Sequence, residues 1–124
     1  MPSPVVVEVP PRPEHAHVLR SVVASVATRL DLPLDSIEDL KIAVDEAVAH
    51  LLTTGGTVLR IEVLAQPNGI EVTASTDAPD VPWPPDGFDG SLTWQVLTGL
   101  TDDASFGLDG GPLLRFTKRA LSHG

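Results

Sequence analysis

The segment Asp35-Ser36-Ile37-Glu38-Asp39-Leu40-Lys41-Ile42-Ala43-Val44-Asp45-Glu46-Ala47-Val48-Ala49-His50-Leu51 decides the architecture. Ile37, Leu40, Val44, Ala47, Val48 and Leu51 fall three or four residues apart, which is one face of an α-helix. Asp35 and Glu38 have the spacing of a capping box, with Asp35 as the cap. Gly55-Gly56 stops the helix, so the pattern predicts helix from Ser36 to about Thr53. Upstream, Leu19, Val22, Val23, Val26, Ala27 and Leu30 form a second helical face. It opens at Glu14 and breaks at Leu32-Pro33. Before it, Val5, Val6, Val7 and Val9 precede Pro10, Pro11 and Pro13 and read as one short strand.

Downstream, Thr57 to Leu64 alternates, with Val58, Ile61 and Val63 apolar. Pro67-Asn68-Gly69 is a turn, and Ile70, Val72 and Ala74 continue as the hairpin partner. Asp77 to Gly90 is irregular and rich in proline and acid, and loops of that length are functional or mobile. Ser91 caps a third helix from Leu92 to about Thr101, with Val96, Leu97 and Leu100 inward. Phe106 marks a short strand, and Gly110-Gly111-Pro112 turns into a last strand, Leu113 to Lys118. The order is β-α-α-β-β-α-β-β. It predicts an α/β (α+β) sandwich: a mixed, mostly antiparallel sheet with helices on one face. At 124 residues, one domain over 1–124 is expected.

Composition narrows the function. Lys+Arg 8 against Asp+Glu 17 gives a net charge of −9. That balance repels phosphate backbones and anionic membranes and attracts basic proteins. There is no cysteine, which excludes disulfides, thiolate metal sites and cysteine nucleophiles. No apolar run reaches the ~18 residues of a membrane helix, and the N-terminus lacks the pattern of a signal peptide. A soluble, cytoplasmic protein is expected. No P-loop, G-x-G-x-x-G or nucleophile elbow occurs.

Glu46 and His50 lie one helical turn apart, off the main apolar stripe. A carboxylate beside an imidazole serves as a general base or as two metal ligands; it is equally an ordinary exposed pair on a helix. The acidic run Asp31, Asp35, Glu38, Asp39, Asp45 and Glu46 is relieved only by Lys41. It is either a solvated face or a docking surface for a basic protein, with Asp35 and Asp39 as contacts. Trp83, between prolines in the long loop, is hard to bury and reads as a partner anchor.

The stretch Asp39 to Val48 resembles the N-box helix of histidine-kinase-like ATPase domains, and within these the RsbW-like anti-sigma factor and serine kinase family. Pro13 to Leu32, including Leu19-Arg20, is similar to that family's first helix. Gly90 to Asp103 (Gly-Ser-Leu-Thr-Trp-Gln-Val-Leu-Thr-Gly-Leu-Thr-Asp-Asp) resembles the actinobacterial UsfX-type anti-sigma-F factors. The resemblance covers about residues 5 to 120. It implies a histidine-kinase-like ATPase fold, a homodimer, and capture of a sigma-F/sigma-B-like sigma factor, with release by a STAS-type anti-anti-sigma partner.

Kinase-competent members bind ATP and magnesium and phosphorylate that antagonist, which is the alternative activity the resemblance implies. Carried over, Glu46 matches the catalytic glutamate. His50 stands where an asparagine holds magnesium, and imidazole is a poor magnesium ligand. Asp77 falls at the adenine-reading aspartate, followed by Ala78-Pro79 where glycine is expected. Only Gly87 and Gly90 remain of the glycine-rich phosphate loop, and Ser91-Leu92 replaces the glycine-rich start of the third helix. The implied outcome is a sigma-binding domain with a degraded ATP and magnesium site, its cleft beside Glu46 filled by Pro79, Leu92 and their neighbours.

Overall fold

The computed structural model describes residues 3–78 and 81–120. Strands β1 (Val5–Val9), β2 (Leu59–Gln66), β3 (Gly69–Thr76), β4 (Asp103–Leu108) and β5 (Pro112–Arg119) form one sheet in the order β1-β2-β3-β5-β4. Helices α1 (Ala16–Arg29), α2 (Leu34–Leu51) and α3 (Leu92–Leu100) cover one side. The element order is the one read from the sequence. It gives the open α/β sandwich of the histidine-kinase-like fold.

Every strand pair is antiparallel, not mixed. Two helices, rather than one, separate β1 from β2, so the chain returns reversed. The single-helix crossover from β3 to β4 leaves those two strands parallel in direction, but β5 inserts between them.

Side-chain alternation assigns the faces. Ile61, Ala74, Leu114 and Phe106 lie opposite one another across four strands, as do Val63, Val72, Phe116 and Ala104. These rows meet Leu19, Val23 and Ala27 of α1, Leu40, Val44, Ala47, Val48 and Leu51 of α2, and Leu97 of α3. Each fully buried Leu, Ile or Val contributes ~1.5–3 kcal/mol. The outer face carries Arg60, Glu62, Thr73, Ser75 and Arg115.

Two polar ties lock the helix layer. Arg20 Nη1 of α1 donates to Asp45 Oδ2 of α2 at 2.7 Å. Lys118 Nζ of β5 donates to Asp39 Oδ2 at 3.1 Å and to the Leu100 carbonyl at 2.8 Å. Asp39 is therefore engaged inside the fold, whereas Asp35 is exposed.

The capping-box expectation is corrected. Helix α2 starts at Leu34 with Pro33 in the cap position, and no side chain caps it. The Ile37 N–H bonds the Pro33 carbonyl at 3.1 Å and closes the first turn one residue early. Glu38 accepts from Lys41 instead, at 3.1 Å. Among the described residues no helix is long and apolar enough to cross a membrane.

Candidate functional site

The C-terminal half of α2 holds Glu46 and His50 against α3 and the 81–91 loop. Thr93, buried in the first turn of α3, donates its hydroxyl to Glu46 Oε1 at 3.1 Å. Ser91 is the N-cap of α3, as its sequence position predicts. Its Oγ accepts from the Trp94 N–H at 3.1 Å and donates to the Phe88 carbonyl at 2.6 Å. The first turn is thereby closed by its own side chain. Gly87 has φ +76, the left-handed turn that feeds the 3-10 segment Phe88–Gly90. Gly90 is exposed.

Aromatic rings fill the space over His50. Its ring centroid lies 4.8 Å from Phe88 and 5.7 Å from Trp83. Trp83 and Phe88 are 5.5 Å apart. Phe88 continues to Trp94 at 5.7 Å and to Phe106 at 5.3 Å, and Trp94 meets Phe106 at 5.0 Å.

Trp83 is 9% exposed and Phe88 3%. The expectation of a free Trp83 anchor is corrected, because the His50 and Phe88 rings supply an apolar seat beneath the proline-flanked indole. Leu92, expected to narrow the cleft, is 71% exposed instead; Trp83 and Phe88 do the filling. Pro79 lies outside the described residues. Phe88, Thr93 and Phe106 were not singled out as site residues from the sequence. Their signal was there: four of the five aromatic residues fall between 83 and 106.

His50 Nε2 and Trp83 Nε1 are buried and have no hydrogen-bond partner among the described residues. Burial lowers the His50 pKa below its ordinary 6.5, against an opposing pull from the Glu46 carboxylate. The ring is neutral at pH 7. A Glu46→Gln change removes the opposing charge. The His50 midpoint, followed by NMR of its ring carbons, is then expected to fall further below the wild-type value.

Asp77 sits at the end of β3, away from the rings. Its carboxylate accepts the Thr57 N–H at 2.6 Å, the Thr57 hydroxyl at 2.5 Å and the Val58 N–H at 3.0 Å. A Cβ on Gly56 would lie 2.7 Å from Asp77 Oδ1, so glycine makes this seat. The Thr57 hydroxyl bond, with the two N–H bonds, lowers the Asp77 pKa to about 2. The carboxylate is the bonded form, so the seat is intact above the ordinary 3.8 and is lost as pH falls through about 2. A carboxyl-carbon NMR titration should return that low midpoint, and Thr57→Val should raise it.

The site joins a carboxylate, a buried hydroxyl and a neutral imidazole. It presents no cation: between Arg60 and Arg115 the chain has no Lys or Arg. Among the described residues no group of three His, Cys, Asp or Glu side chains is placed to hold a metal ion.

No family model matches the sequence. Two proteins named anti-sigma-F factor RsbW, from Mycobacterium tuberculosis strains H37Rv and CDC 1551, are 33% identical over 103 residues. The match spans 80% of this chain and 58% of theirs. A serine-protein kinase RsbW of Bacillus licheniformis is 26% identical over 130 residues, 88% of this chain and 81% of that protein. A serine-protein kinase RsbW of Bacillus subtilis is 44% identical over 43 residues, 35% of this chain and 27% of that protein. The antiparallel sandwich, the α2 helix that carries Glu46 and these relatives together show that the chain belongs to the RsbW-like anti-sigma factor family.

Proposed function

We propose that this chain is a cytoplasmic anti-sigma factor that captures a sigma-F/sigma-B-like sigma factor by surface contact and does not depend on ATP. A STAS-type anti-anti-sigma partner would release it. The observation that carries this reading is the packing of Trp83 and Phe88 onto His50 beside Glu46.

Three further features support it. The Asp77 carboxylate is committed to Thr57 and Val58. The first turn of α3 is capped by Ser91, which competes with any phosphate for those N–H groups. No Lys or Arg between residues 61 and 114 offsets a triphosphate. These residues do not fit ATP and magnesium, and no step is derived through them. Capture needs only complementary surfaces, and a net charge of −9 speeds encounter with a basic partner.

The test is capture of purified alternative sigma factors from the source cell. A complex at micromolar concentration is expected, and its absence for all of them removes the reading. The second reading is an ATP-dependent serine kinase acting on the antagonist. The printed names of the Bacillus relatives and the position of Glu46 favour it. Saturable heat on titrating magnesium-ATP, with transfer lost in Glu46→Ala, would establish it.

A homodimer through β1 belongs to the same proposal. β1 is an edge strand whose Val5 and Val6 are 40% and 42% exposed. An apolar groove of about 480 Å³ runs beside it, lined by Val5, Val18, Val22 and Val26. Unpaired edges with apolar flanks recruit another strand. Val5→Lys with Val6→Lys is expected to give monomer by sedimentation where the unaltered chain gives dimer.

A further inference from the structure

A surface outside the Glu46–His50 site gathers two large exposed apolar side chains. Leu92, the first residue of α3, is 71% exposed, and Leu108, the last of β4, is 60% exposed. The ring triangle Phe88, Trp94 and Phe106 ties the 3-10 segment, the start of α3 and the end of β4 to one another. Leu92 is two residues from Trp94, and Leu108 two residues from Phe106. Helix α3 and strand β4 are joined only by residues 101 and 102, so the start of one and the end of the other lie at the same end of the fold.

Two acids border the same triangle. Asp86 and Asp89 flank Phe88 and are exposed. The nearest cations in the sequence are Arg60 and Arg115, and both side chains project from the outer face of the sheet, away from the Phe106 side. Asp109 is not counted, because it lines an outer-face pocket with both arginines. The patch thus joins apolar contact area to uncompensated negative charge. Lone exposed leucines are ordinary; two beside unpaired acids and no base suit an amphipathic basic chain.

We propose that this end of the molecule is a docking surface for a basic segment of a protein partner. The segment sets an apolar side chain on Leu92 and Leu108 and Lys or Arg side chains toward Asp86 and Asp89. The surface is distinct from the α2 acids and from the β1 edge. It rests on the sigma-capture reading only for the identity of the partner.

A synthetic twelve-residue helical peptide, with leucine on one face and lysine on the other, probes the surface directly. Amide shifts in ¹⁵N-labelled full chain are expected to cluster at residues 86–94 and 106–108. Leu92→Asp should weaken the peptide at least about tenfold. Asp86→Asn with Asp89→Asn should cut the association rate about three- to tenfold and flatten its salt dependence. All these side chains are exposed, so the variants keep the fold. Shifts that map to α2 or β1, or an affinity unchanged in Leu92→Asp, overturn the proposal even if a sigma factor is captured. Shifts that map as expected uphold it even if no sigma factor is captured.

Discussion

Replacing Phe88 by alanine is expected to cost about 3–5 kcal/mol of stability, the range for removing a buried aromatic side chain. Phe88 is 3% exposed and touches His50, Trp83, Trp94 and Phe106. No other ring lies against all the rest, so its loss leaves a cavity at the centre of the cluster. Trp83 and Trp94 should lose their seat together, and their emission should move to longer wavelength. Phe88→Leu keeps most of the volume and should cost less. Urea unfolding followed by fluorescence and by circular dichroism measures both changes. A loss under about 1 kcal/mol would mean the rings are not packed as a unit.

Gly69→Ala should be the second most damaging change, at about 3 kcal/mol, the upper range for forced overpacking. A Cβ at Gly69 would strike the Lys118 carbonyl oxygen and lie 2.7 Å from Arg119 Cα. Both neighbours are backbone of β5, so nothing flexible can give way. The β3–β5 ladder would have to part at the end where Lys118 holds α2 and α3. Gly99→Ala in α3 is the contrast. Nothing lies within 4 Å of its Cβ position, and helical alanine should gain up to about 1 kcal/mol over glycine. Opposite signs for two identical substitutions, read from thermal or urea midpoints, test the two close approaches apart from glycine content.

Much of this fold was legible because its signals are local. The α2 stripe from Leu40 to Leu51 is buried as its period required, and the Pro67-Asn68-Gly69 turn joins the paired strands β2 and β3. The Ser91 cap is a one-residue rule obeyed by the backbone. Asp35 misled because Pro33, with its fixed φ, starts α2 one residue sooner. The strand directions were only half legible, since the insertion of β5 between β3 and β4 is a long-range pairing that alternation does not encode.

The candidate site divides in the same way. Glu46 and His50 fall on one helical face by spacing alone, but the hydroxyl that meets Glu46 comes from Thr93, on another element. Trp83 in a proline-flanked loop reads as exposed until the rings of His50 and Phe88, remote in sequence, are seen to receive it. Asp77 was placed by resemblance as an adenine reader; its three bonds to Thr57 and Val58 are a contact across 19 and 20 residues. Nothing periodic announces such a bond.

Sigma-factor affinity measured by interferometry, with and without millimolar magnesium-ATP, tests most directly whether capture stands free of nucleotide. Equal affinities within twofold are expected, with the same equality in Glu46→Gln. Capture that appears only when magnesium-ATP is present would contradict the account.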